Sequence, residues 1–76
     1  MEKPDFVVRM EEEFNVLSER IEKLQKFLKE NTLTLDETIL LEQQCNAMLL
    51  YSYFLNTRIK FYISKINFGE IKWKRF

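Results

Sequence analysis

The chain has 76 residues, of which 46% are hydrophobic and 14% aromatic, and its twelve basic and twelve acidic residues cancel. This apolar content excludes a disordered protein, and one glycine with one proline exclude turn-rich sandwiches and nucleotide-binding α/β folds. One cysteine and no histidine exclude a disulfide framework and the usual zinc patterns. We therefore expect a single helical domain over residues 1–76, with no metal and no cofactor.

The hydrophobic residues never form a continuous stretch of membrane-spanning length. No run of about 18 uncharged apolar residues occurs. The N-terminal segment lacks the long apolar core and the small-residue cleavage site of a signal peptide. These features predict an intracellular, soluble protein.

The first part of the chain has the pattern of an amphipathic helix. Apolar residues recur at alternating spacings of three and four: Val7, Met10, Phe14, Leu17, Ile21, Leu24 and Leu28. Only a helix places residues at these spacings on one face. Pro4 suits a first helical position, and Asp5 favours the positive end of the helix. The pattern predicts a helix from about residue 5 to about residue 30.

A short polar connection, residues 31–34, leads to a second helix. Thr34 and Glu37 have the spacing of a capping box, so this helix should begin at Leu35. It should end at about residue 66, because Gly69 turns the chain there at least steric cost. Helices joined by so short a connection are antiparallel neighbours. The remaining residues, 67–76, are predicted to form a short C-terminal arm or a frayed tail.

The second helix is apolar on two faces. One face consists of Leu41, Cys45, Met48, Ser52, Leu55, Ile59, Tyr62 and Ile66. The other consists of Ala47, Leu50, Tyr51, Phe54 and Phe61, interrupted only by Arg58. One partner helix covers only one face, and the other would leave large aromatics in water. The sequence therefore predicts an all-α antiparallel two-helix hairpin that assembles into a closed homo-oligomer.

Catalytic chemistry is poorly supported, and we expect no enzyme. Without histidine, a general base near neutral pH would have to be a strongly perturbed Glu or Lys. Cys45 lies on an apolar face and is interpreted as a core residue. Glu11–Glu13 are consecutive helical residues about 100° apart, so they cannot converge on a metal. No glycine-rich loop is present to cradle phosphates.

Charge is distributed unevenly along the chain. Residues 1–30 carry six basic and eight acidic residues, residues 31–57 carry three acidic ones, and residues 58–76 carry six basic and one acidic. Eight of the eleven aromatics also lie from Tyr51 onward. A basic, aromatic end is typical of a protein that binds a phosphate-bearing ligand. Alternatively, these lysines form only the solvated rim of an amphipathic helix.

Arg58 is one candidate anion-binding residue, since it interrupts an apolar face between Phe54 and Phe61. A charge at such a position meets a ligand, pairs with a glutamate of a neighbouring subunit, or extends to the rim. If copies of this face surround a symmetry axis, several Arg58 side chains would converge and need an anion between them. The residues alone leave these alternatives open.

Two further candidate sites lie near the ends of the chain. The N terminus of the first helix offers free backbone N–H groups and Arg9 for a phosphate, with Phe6 to stack on a base. At the other end, Trp73 lies among three basic residues and would suit a nucleotide, or else simply packs as part of the arm.

Several segments resemble a family of very small helical-hairpin proteins of tailed phages. The resemblance covers about residues 6–62 and is carried by SERIEKLQKFLKEN, LLEQQCNAMLLYS and YFLNTRIKF. Its most telling pieces are Leu40–Gln44, Ala47–Met48, Tyr51–Ser52 and Arg58–Ile59. That family is similar to the anti-CBASS and anti-Thoeris hairpin proteins, which sequester cyclic-nucleotide messengers of bacterial immunity without destroying them.

The resemblance implies a homo-hexamer of hairpins in the cytoplasm of an infected bacterial host, with two kinds of pocket between subunits. One pocket binds cyclic dinucleotides through an aromatic near the N terminus, here Phe6, and a basic side chain for which Arg9, Lys23 and Lys26 are candidates. The other lies on a threefold axis and takes larger cyclic oligonucleotides, such as trinucleotides, through an arginine at the position of Arg58.

The alternative function is a protein-interaction module, either a short coiled-coil adaptor or an inhibitor of a host protein. In that case Tyr51, Phe54 and Phe61 would anchor a partner helix. A membrane is not an expected partner, and zero net charge argues against long nucleic acid.

Overall fold

A computed structural model describes residues 3–69 of the chain. Over this range the regular secondary structure consists of two helices, α1 (Asp5–Glu30) and α2 (Leu35–Asn67), which pack against each other as an antiparallel hairpin. The hairpin measures 52 × 16 × 15 Å. The prediction of an all-α two-helix fold is confirmed for the described residues. The C-terminal arm beyond Gly69, including Trp73, lies outside them.

The start of α1 differs slightly from the sequence-based expectation. Pro4 is the N-cap residue rather than the first helical one, and its backbone is extended. Its carbonyl oxygen accepts hydrogen bonds from the N–H groups of Val7 and Val8, at 3.0 and 3.2 Å. Because proline has no N–H to leave unsatisfied, it suits either position.

The capping box at the start of α2 is confirmed. The Thr34 hydroxyl accepts a hydrogen bond from the Glu37 N–H, and the Glu37 carboxylate accepts one from the Thr34 N–H, both at 3.2 Å. At its other end α2 extends to Asn67, and Gly69 turns the chain with a φ of 70°. The Gly69 N–H donates to the carbonyl of Ile66 at 3.0 Å, which closes the last turn.

The core lies at the end of the hairpin where α1 begins and α2 ends. Its buried cluster consists of Val7, Met10, Leu55, Ile59 and Ile66. Toward the connection only Ile21 and Cys45 are buried, and Cys45 is a free thiol, as its interpretation as a core residue requires. All seven side chains belong to the apolar face of α1 or to the first apolar face of α2. Each helix thus buries the stripe that its periodicity predicts.

Neither helix could cross a membrane. Over residues 3–69 no helical segment combines the necessary length with the necessary hydropathy.

Candidate functional site

The side of α2 opposite α1 is apolar and uncovered. We call it the outer face of α2 and define it by Leu40, Ala47, Leu50, Phe54 and Phe61, all of which are exposed. Leu50 is 58% exposed and Phe54 52% exposed, although both are large hydrophobic side chains. The hairpin by itself therefore leaves the second apolar face of α2 in solvent, as the two-face pattern predicts.

Tyr51 lies at the edge of this outer face that is nearer to α1. Its hydroxyl donates a hydrogen bond of 2.5 Å to the Glu13 carboxylate on α1. This hydrogen bond raises the pKa of Tyr51 above its ordinary value, because ionising the phenol would forfeit the bond and place two negative charges together. The positive charge of Arg58 acts on the pKa of Tyr51 in the opposite direction. Glu13, Tyr51 and Arg58 thus form one polar edge.

Sequence reasoning missed Glu13. It treated the residue only as part of an acidic run near the start of α1. The contact with Tyr51 joins residues 38 positions apart, so it depends on how far each helix is shifted along the other. No local spacing in the sequence encodes that shift.

Arg58 is exposed and has no ion-pair partner among residues 3–69. It lies one helical turn from Phe54 and one from Phe61, both of which are about half exposed. A solvent-accessible guanidinium between aromatic side chains can accept a phosphate in bidentate geometry while a ring stacks on a base. Among residues 3–69 no carboxylate pairs with Arg58.

Phe6 is placed less openly than expected for a base-stacking residue. It is half-buried, and its ring contacts that of Tyr62 edge to face, with 5.0 Å between centroids. It also packs against the buried cluster of the core. Only its outward part is left for a ligand. Arg9, one turn further along α1, is exposed.

Lys23 and Lys26 lie near the other end of the hairpin. Both are exposed, and they line an open depression of about 270 Å³ together with Phe27, Glu30 and Asn31. The ammonium group of Lys26 is 3.8 Å from the Glu30 carboxylate. Along α1 these lysines are about 25–30 Å from Phe6. One chain therefore does not bring them together with Phe6, and a pocket that uses both ends must be built from more than one subunit.

Two of the sequence-based expectations concern metals and the C-terminal arm. Among residues 3–69, no group of three or more His, Cys, Asp or Glu side chains is arranged to hold a metal ion. Trp73 lies outside the described residues, and its proposed stacking role stays a prediction.

Comparison with known families places a match over most of the chain. The family model described as Sequestin matches residues 4–61, which span α1, the connection and most of α2. This range includes Phe6, Arg9, Lys23, Lys26 and Arg58 but not Trp73. No curated protein and no solved structure matches the chain significantly.

Proposed function

The chain belongs to the Sequestin family, and on that premise we propose that it is a phage counter-defence protein that sequesters a cyclic oligonucleotide messenger of bacterial immunity without cleaving it. The family name denotes sequestration of a molecule. It agrees with the resemblance of residues 6–62 to the small phage hairpin proteins that counter CBASS and Thoeris. The protein would act in the cytoplasm of the infected host.

The observation that carries the proposal is the combination of a charge and rings at Arg58. A guanidinium without an ion-pair partner among residues 3–69 would hold a ligand phosphate, and whatever part of Phe54 or Phe61 the oligomer leaves uncovered would contact a base or a sugar face. Each charge-assisted hydrogen bond contributes about 1.5–3 kcal/mol. In a closed homo-oligomer, for which we favour a hexamer, several copies of Arg58 would share one anionic ligand.

A second, smaller pocket would lie between subunits near the start of α1. Phe6 and Arg9 would contribute from one subunit, and Lys23 or Lys26 from another, because a single hairpin keeps these groups far apart. Trp73 would close over a base in this arrangement. The ligand would be a cyclic dinucleotide here and a trinucleotide at Arg58.

Release of intact ligand follows from the same proposal. The chain offers cations for phosphates but has no histidine to act as a base near neutral pH. Heating the complex should therefore return the nucleotide unchanged. Linearised nucleotide in the chromatogram would contradict sequestration and favour an enzyme.

We expect Arg58→Ala to abolish the stabilisation that a cyclic trinucleotide gives the wild-type protein. Ligand at about 100 times its dissociation constant stabilises the folded state by about 2.7 kcal/mol, which a thermal-shift screen detects readily. The panel contains cyclic dinucleotides, cyclic trinucleotides and cyclic ADP-ribose derivatives. Lys60→Ala is the matched control, since Lys60 is an exposed cation two residues away on another side of α2, and it should keep the shift.

Three outcomes would count against this assignment. If Arg58→Ala unfolds the protein or dissociates the oligomer, as judged by circular dichroism and sedimentation, the arginine is structural. If only the cyclic ADP-ribose derivatives bind, the messenger is of that class and not a cyclic oligonucleotide. If no member of the panel binds, the protein does not sequester these messengers.

The exposed apolar side of α2 favours one other candidate, a protein-interaction module with Tyr51, Phe54 and Phe61 as anchors. The two functions differ in what stabilises the protein. A sequestering protein is a homo-oligomer on its own and is stabilised by a small anionic ligand, whereas an adaptor is stabilised only by another protein. Sedimentation equilibrium that finds a folded monomer at micromolar concentration would contradict the sequestering homo-oligomer.

A further inference from the structure

Charge is separated along α2. The first turns carry only acidic charges, at Asp36, Glu37 and Glu42, and the last turns carry only basic ones, at Arg58, Lys60 and Lys65. Between them, residues 43–57 contain no charged side chain. Two copies of such a helix attract each other when they are antiparallel, because each acidic end then lies beside a basic end.

The outer face of α2 extends this asymmetry into a continuous stripe. Residues at spacings of three and four follow one another along the side opposite α1: Asp36, Leu40, Gln43, Ala47, Leu50, Phe54, Arg58, Phe61 and Lys65. All are exposed except Lys65, which is partly buried and lies over the Phe61 ring. A stripe with this period matches the seam that a second helix packs against.

We propose that two copies of the chain pair through this stripe about a twofold axis that passes between residues 50 and 51 of antiparallel α2 helices. This register places Leu40 of one copy against Phe61 of the other and Ala47 against Phe54. Leu50 of both copies meets at the axis. Every apolar residue of the stripe then meets an apolar one, and the smallest, Ala47, faces a large ring, as dense packing requires.

The polar residues of the stripe match in the same register. Asp36 of one copy faces Lys65 of the other, which gives an ion pair at each rim. Arg58 faces Gln43, an amide that does not neutralise it. The two guanidinium groups lie about 22 Å apart along the helix axis, so the copies of Arg58 that share one ligand in the proposed function would belong to different pairs. The inference rests on the homo-oligomer of the proposed function and specifies its first contact.

Parallel pairing of the same stripe is disfavoured. It would place Asp36 against Asp36 and Arg58 against Arg58, and it would stack Phe54 on Phe54 where the antiparallel register offers Ala47. Like charges across an interface cost free energy. A second copy in the antiparallel sense is therefore the occupant that this surface fits.

Disulfide cross-linking of the full chain tests the register. In a Cys45→Ala background, Leu50→Cys should convert most of the protein to a covalent dimer on oxidation, because the two thiols meet at the axis. Leu49→Cys is the control, since Leu49 is also exposed but points to another side of the helix, and it should stay monomeric on a non-reducing gel.

A second pair of variants distinguishes the direction of the helices. Leu40→Cys alone should not cross-link, because antiparallel pairing keeps its two copies about 31 Å apart. Leu40→Cys combined with Phe61→Cys should cross-link. Dimer from Leu40→Cys alone, or equal dimer from Leu50→Cys and Leu49→Cys, would overturn the proposal.

Ligand binding by the parent protein is a separate readout. Cross-linking at Leu50→Cys without any thermal shift on the nucleotide panel would reject the proposed function and keep the twofold pair. A thermal shift without that cross-link would reject the twofold pair and keep the proposed function.

Discussion

Tyr51 links the two helices at the edge of the candidate site. Its hydroxyl is held by Glu13 on α1, and the charge of Arg58 acts on it from further along α2. A phenol with a raised pKa stays neutral up to a higher pH in the folded state than in the unfolded chain. Such a group stabilises the fold at pH values below its ordinary pKa, and this contribution is lost as the pH rises through the raised value.

Glu13→Gln should return the pKa of Tyr51 toward the ordinary value of 10.0. The amide removes the negative charge that opposes ionisation of the phenol. Ultraviolet difference absorbance during an alkaline titration measures tyrosinate formation directly. Tyr51→Phe removes the contribution of Tyr51 from the titration curve, so it identifies which part of the absorbance change comes from this one of the three tyrosines.

Glu12→Gln is the control for this titration, because Glu12 is an exposed neighbour on another side of α1. It should leave the curve unchanged. An equal response of the two variants, or a Glu13→Gln curve identical to that of the wild type, would show that the Glu13 contact does not hold the phenol neutral in solution.

Among the elements, α2 depends on how its N terminus is capped. Thr34 and Glu37 satisfy each other's backbone N–H groups at the connection. The buried cluster lies at the opposite end of the hairpin. The capping box therefore helps to stabilise the end of the molecule that the core stabilises least.

Thr34→Ala should lower the free energy of unfolding by about 0.5–2 kcal/mol, the usual cost of losing a side-chain N-cap. Urea unfolding followed by circular dichroism measures it. Thr32→Ala is the matched control, because Thr32 is also exposed in the connection but is not the cap. If both variants lose the same free energy, the capping box contributes nothing beyond the connection itself.

At the scale of the whole hairpin, residues 3–69 form a long, thin body of 52 × 16 × 15 Å with its core at one end. A single hairpin of this shape covers one side of each helix. The outer face of α2 keeps Leu50, Phe54 and Phe61 about half exposed. Association would cover these side chains, so the stability of the folded state should increase with protein concentration.

The melting temperature of the wild-type protein should therefore rise with protein concentration, for example between about 1 and about 100 μM, by mass action. Differential scanning calorimetry or circular dichroism measures this rise. Leu50→Glu, which would place two carboxylates close together at the proposed axis, should weaken the dependence. A wild-type midpoint that is constant over this range would contradict an oligomer that forms on folding.

Much of the fold could be predicted from local patterns. α1 spans the residues that its periodicity predicts, and α2 begins directly after the Thr34 cap. α2 ends one residue later than the end predicted from Gly69. The buried stripe of each helix and the uncovered second face of α2 also follow from spacing alone. These features depend on contacts three or four residues apart, which the order of residues encodes directly.

Only the tertiary structure decided which candidate residues come together. It packs Phe6 against Tyr62, joins Glu13 to Tyr51, and leaves Arg58 without an ion-pair partner among the described residues. It also keeps Lys23 and Lys26 at the end of the hairpin away from Phe6. Each of these results depends on the shift of α1 along α2. That shift is set by the packing of the whole interface, and no short motif in the sequence encodes it.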